Sequence, residues 1–210
     1  TELFQPQSWP TLFFIDIPFE RGDEIVAMIA QGDTLIILGQ SKVFLIIGQT
    51  SLDFEVRPSA GAQAGAHGPR AVTVIEQGIL HMSAEGLFVF DGATDKLLTF
   101  DIEPGMRDLI TNSAASALSA IAVVYSFTDK EVRVAVPRLY PRGARGEWVL
   151  DLNRTRELET PAWTDTDRDL VGYVHMDGDE PTAGNRGRLF SWPSSGGFLM
   201  EESPGTTANS

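Results

Sequence analysis

The feature that most limits the fold is a repeated alternation of short apolar runs with glycine-marked turns. Residues 25–29 are apolar, Gln31-Gly32-Asp33 turns, and residues 34–38 are apolar again. Gly39-Gln40-Ser41-Lys42 turns once more before the apolar run 43–47. A second unit reads the same way: run 71–75, a turn at Gln77-Gly78, run 79–82, a turn at Ala84-Glu85-Gly86, then Leu87-Phe88-Val89-Phe90. Both units close on glycine, at Gly48 and Gly92. Such runs are too short for amphipathic helices. Their β-branched and aromatic content, with glycine supplying tight turns, specifies antiparallel strands.

Two less regular copies follow. The third has run 121–127, a turn at Thr128-Asp129-Lys130, run 131–136, a Pro/Gly/Arg loop over 137–146, and run 148–152. The fourth has run 170–176, a loop over 177–187, run 188–192, a turn over 193–197, and run 198–200. Lys42-Val43-Phe44, Gly86-Leu87-Phe88 and Arg188-Leu189-Phe190 align on their phenylalanines, with Trp148-Val149 as the intermediate copy. The phenylalanines are separated by 44 and then by 102 residues. A period near 45 to 50 residues with three or four strands per unit is the pattern of propeller blades, at roughly 40–50 residues each. The expected fold is therefore all-β, with propeller-like blades over about 25–58, 70–103, 117–164 and 169–200, within a domain spanning 25–200. Four blades lie at the lower limit for a closed ring, so a partial ring is expected too; a β-sandwich is the alternative. Phe44, Phe88, Trp148 and Phe190 are assigned to blade cores. Residues 1–24 read as an extended arm, 104–119 as a short helix with a loop, and 201–210 as a flexible tail.

Composition excludes several classes. The net charge of −13 opposes binding of nucleic acid or anionic membrane over most of the surface. Arg138, Arg142, Arg145, Arg154 and Arg156 lie close in sequence, and read as solvated loop arginines before they read as a polyanion site. The chain has no cysteine, which removes disulfides, thiol catalysis and cysteine-based zinc sites. The apolar runs are too short to span a bilayer, and no signal-peptide pattern opens the sequence.

No catalytic, cofactor or metal residue is assigned. His67, His81 and His175 form no metal-ligand spacing, and His81 and His175 read as half-buried or solvent-facing strand residues. The Gly/Ala-rich stretch 60–68 lacks the Lys-Ser/Thr and helix of a phosphate loop, since Pro69-Arg70 follows. Asp165, Asp167 and Asp169 alternate as in a calcium loop, but Leu170 and Met176 stand where glycine and glutamate belong. Asp177-Gly178-Asp179-Glu180 reads as a solvated acidic turn. No nucleophile elbow occurs, and Ser51-Leu52-Asp53 continues with Phe54-Glu55 rather than as a sialidase-type blade box. An enzyme is not expected.

The order of these elements resembles the propeller-containing structural proteins of tailed-bacteriophage necks and tails, of nozzle, hub or head-completion type. The elements are Gly32-Asp33-Thr34-Leu35-Ile36, Lys42-Val43-Phe44-Leu45-Ile46 and Ser83-Ala84-Glu85-Gly86-Leu87-Phe88-Val89-Phe90-Asp91-Gly92. Val136-Pro137, Val149-Leu150-Asp151 and Trp163 follow in the same order. The resemblance implies a structural virion component located in the phage neck or tail. Its implied partners are portal, adaptor or tail proteins and further copies of itself in a ring. Contact with DNA in the channel would be passive, past an acidic wall. Loops 59–69, 137–146 and 177–187 are the interface candidates, being long for strand connections. A propeller module that binds a cell-surface glycan or protein is the alternative.

Overall fold

The computed structural model describes residues 14–48, 53–62, 64–102, 118–136, 146–166, 170–176, 188–193 and 200–201. It is mostly β-strand; the described residues also include a short α-helix, Leu152–Leu158, and a 3-10 turn, Phe100–Ile102. The described strands form four separate antiparallel sheets, each built from strands consecutive in the chain. That arrangement differs from the two large facing sheets of a sandwich.

The first sheet runs β1 (Ile25–Gln31), β2 (Thr34–Gly39), β3 (Val43–Ile47), β4 (Glu55–Pro58). The second runs β5 (Val72–Ile75), β6 (Gly78–Ser83), β7 (Gly86–Phe90), β8 (Asp95–Leu97). The third contains β9 (Ala122–Ser126), β10 (Glu131–Val136), β11 (Gly146–Asp151) and β12 (Ala162–Thr166), with α1 (Leu152–Leu158) between the last two. The fourth has β13 (Leu170–Met176), β14 (Arg188–Pro193) and β15 (Met200–Glu201).

The turn chemistry follows the sequence. Gln31 pairs with Thr34, leaving Gly32-Asp33 as a two-residue loop, and Gly32 takes φ +56°. Ile75 pairs with Gly78 around Glu76-Gln77, and Gly78 takes φ +147°. Asp151 caps α1: its Oδ1 accepts from the Arg154 backbone N–H at 2.9 Å, satisfying a donor that the helix cannot.

Strand alternation gives every sheet two faces, one turned back along the chain and one turned forward. On the first sheet, Ile36, Leu38 and Val43 face forward and meet Ile79 and Phe90 of the second. On the second, Leu80, Met82 and Leu87 face forward and meet Val123, Tyr125, Val132, Val134 and Leu150 of the third. Ala122 and Ala135 on the other face of the third sheet meet Leu170 and Tyr173 of the fourth. Three junctions thus join the sheets in chain order; among the described residues no buried cluster joins the fourth to the first. The first strands lie side by side, β5 against β9 and β9 against β13.

Of the aromatics assigned to cores, Phe44 and Phe88 are buried, Trp148 is half-buried against the second-to-third junction, and Phe190 is half-buried. The stretch 104–117, residues 137–145 and the whole of loop 177–187 lie outside the described residues, and with them Arg138, Arg142 and Arg145. Arg154 and Arg156 sit on α1. Loop 59–69 is no free surface feature. It threads between the first two sheets, with the Ala66 N–H donating to the Gly39 carbonyl and the His67 N–H to the Met82 carbonyl, each across 2.8–2.9 Å.

Two glycine substitutions separate the turn conformation from close packing. A Cβ on Gly32 meets nothing within 4 Å, whereas one on Gly78 would lie 2.1 Å from the Phe90 carbonyl oxygen. Gly32→Ala should cost about 1 kcal/mol, from the left-handed backbone alone. Gly78→Ala should cost at least about 2 kcal/mol, because the β7 backbone must also move. Urea denaturation of the two variants measures the difference.

Candidate functional site

Two buried polar clusters hold the chemistry of the described residues, and each lies at a sheet junction. The first centres on His81, at the middle of β6. Register places His81 opposite Val72 on β5 and Phe88 on β7, on the face that looks back toward the first sheet. The imidazole stacks on the Phe88 ring with centroids 5.7 Å apart. Its Nδ1–H donates to the Gly65 carbonyl at 2.9 Å, and its Nε2 lies 3.0 Å from Asp95 Oδ1. A carbonyl oxygen only accepts, so the bond to Gly65 is donated by Nδ1–H. Both side chains are 0% exposed. The cluster ties loop 59–69 to the outer strand of the second sheet.

His67 lies two residues beyond Gly65. Its Nε2 is shut off from solvent and has no hydrogen-bond partner among the described residues. Burial pushes the imidazole pKa below its ordinary value, while a hydrogen bond with the Ser83 backbone acts in the opposite direction.

The second cluster lies between the third and fourth sheets. Glu147 opens β11 opposite Thr166 of β12, and is 1% exposed. Its carboxylate accepts from Tyr173 Oη at 2.7 Å, from Thr166 Oγ1 at 3.1 Å and from Arg133 Nη1 at 3.3 Å. Arg133 also donates to Glu131 Oε2 at 2.9 Å. Desolvation pushes the half-buried Glu131 carboxyl above its ordinary pKa, against the pull of Arg133. Three donors satisfy a charge that would otherwise be costly to bury. The Tyr173 phenol reaches across the junction, so the network fastens the fourth sheet to the third.

A third set of bonds is exposed. Asp23 accepts from the backbone N–H groups of Gln40 and Ser41 and from Ser41 Oγ, fixing the segment before β1 to the β2–β3 turn. Phe19 from that segment packs edge-to-face on Phe44, with centroids 4.9 Å apart.

His81 is thus fully buried and doubly bonded, where alternation suggested a half-buried or outward strand residue. Sequence could not show that β6 sits between two neighbouring sheets. The His175 side chain, Asp167, Asp169 and the turn at 177–180 lie outside what is described, and Asp165 is on β12. Among the described residues, no group of three or more His, Cys, Asp or Glu is placed to hold a metal ion. None of their helices is long and apolar enough to cross a membrane. No protein-family model matches this chain, and no curated protein matches it. The geometry therefore carries the reading: the Glu147 cluster clamps the fourth sheet to the third, and the His81 cluster fixes the connection between the first two sheets.

Removing one partner of the first cluster should be worse than removing both. His81→Leu should cost about 3 kcal/mol, by taking a partner from a buried carboxylate. His81→Leu combined with Asp95→Leu should cost less than the single change, because two apolar side chains need no partners. Equilibrium urea unfolding of both variants checks the order.

Proposed function

We propose that this chain is a structural component of a tailed-phage virion, part of the neck or tail, serving in a ring around the DNA channel or as a hub for other tail proteins. The observation that carries the reading is the use made of the buried polar groups. Glu147 and Tyr173 are spent on joining the third sheet to the fourth, and His81 with Asp95 on holding the connection that runs between the first two. Rigid coupling of small sheets suits a part that must transmit load and hold its neighbours in register.

The resemblance in sequence supports the same reading, and its elements fall on turns and strands of the sheets. Gly32-Asp33 turns between β1 and β2, and Gly86 to Phe90 is the third strand of the second sheet, with Asp91 accepting from the Ala93 and Thr94 N–H groups just beyond. The net charge of −13 fits a channel wall along which DNA passes without adhering. Portal, adaptor or tail proteins are the proposed partners, and the proposed location is the virion. A propeller module that recognises a cell-surface glycan is the second reading, favoured by the exposed Trp192 ring, an amphipathic stacking surface.

Electron microscopy of the native particle that contains this chain tests the choice. Copies arranged with rotational symmetry at a capsid vertex or along a tail are the expected result. A free monomer with no higher assembly would remove the virion reading, and retention of that monomer on a glycan array would install the second.

A further inference from the structure

The three junctions inside the chain follow one rule: the forward face of each sheet covers the backward face of the next. Applied to the whole row, the rule leaves two faces over, the backward face of the first sheet and the forward face of the fourth. Each carries at least one exposed large apolar side chain.

On the first sheet, register aligns Met28, Ile37 and Phe44 on the backward face, with Ala30, Leu35, Ile46 and Val56 in the next row. Ile17 and Phe19 cover the part over Ile37, Phe44 and Ile46. The β1 side stays open: Met28 is 62% exposed and Ile25, paired with Gly39 at the strand end, is 48% exposed. On the fourth sheet, Tyr173, Leu189 and Ser191 belong to the face turned to the third sheet. The alternate residues Phe190 and Trp192 therefore take the forward face, and Trp192 is 51% exposed. Trp192 on the one face, and Ile25 and Met28 on the other, put exposed apolar side chains at the two ends of the row.

We propose that these two faces bind each other between copies: the forward face of the fourth sheet, through Phe190 and Trp192, docks on the backward face of the first sheet of a second copy, through Ile25 and Met28. The argument is continuity, since this contact repeats the face-to-face packing used at every junction within the chain. It is a heterologous contact, and heterologous contacts close into rings when the rotation permits. Two copies of the four described sheets make a ring of eight, within the range of about four to eight blades that propellers adopt. The expected species is thus a dimer of the 22.9 kDa chain. Copies of charge −13 repel one another, so added salt should strengthen the association, as expected where apolar contact drives it. The inference does not rest on the virion reading; a dimer ring could serve a phage part or a binding module alike.

The absence of cysteine makes the test clean. Met28→Cys and Trp192→Cys variants, each at an exposed position, are mixed and treated with a short bifunctional maleimide. The expected result is a cross-linked dimer in the mixture and none with either variant alone. Cross-linking of Met28→Cys to itself would mean a like-to-like contact and overturn the proposal. So would a link within single molecules of the Met28→Cys/Trp192→Cys double variant, which would mean that the row closes on itself. Light scattering provides the independent arm. Wild type should show twice the chain mass, and Trp192→Glu, with unchanged far-ultraviolet circular dichroism, should weaken the dimer by at least about tenfold. Monomer alone, at high protein concentration and high salt, would also overturn it.

Discussion

Everything in this fold depends on one constraint: a small sheet whose two faces are both apolar cannot stand by itself. The second sheet shows it most clearly. Ile79 and Phe90 are buried toward the first sheet, while Leu80, Met82 and Leu87 are buried toward the third. A four-stranded sheet has too little area to form a core with its own connections, so each face must find another sheet. At about 25 cal/mol for each Å² of apolar surface covered, face-to-face stacking dominates the stability. Sheet order then follows chain order, as units consecutive in a chain usually lie side by side.

Within that apolar stack, the buried polar groups set position rather than supply the main energy. His81 and Asp95 fix where loop 59–69 enters between the first two sheets, and Glu147 with Tyr173 fixes how the fourth sheet sits on the third. Among the described residues, the apolar part of the third-to-fourth junction is Ala122, Ala135 and Leu170, with Tyr173 packed against them. Small side chains bring the sheets close and give little shape to resist sliding. A carboxylate with three donors resists it through directional bonds.

Much of this order is legible in the sequence, for a physical reason. Strands that bury both faces are continuously apolar, so runs such as residues 34–38 and 43–47 stand out, and the glycines between them mark turns. What the sequence hides is the outer strand of each unit. Glu55–Pro58 contains one buried-type residue, Val56, and Asp95–Leu97 is three residues long. Edge strands need little apolar character, and charge or proline protects them from unwanted pairing. Helix α1 was missed for a related reason: residues 152–158 bury no side chain fully, leaving Asp151 as the main signal. The buried clusters were illegible because alternation assigns His81 and Glu147 to a face without saying that another sheet covers that face.

The central claim is that the sheets stand only together, each junction supporting the next. Native-state hydrogen exchange tests it most directly, read at the amides of β6 in the second sheet and β10 in the third. The account predicts that the slowest amides of both strands exchange through one opening, with the same free energy and the same denaturant dependence as global unfolding. If the second sheet opened separately, at a lower free energy and with a smaller denaturant slope than the third, the sheets would be independent units. The account of a single mutually supported stack would then be wrong.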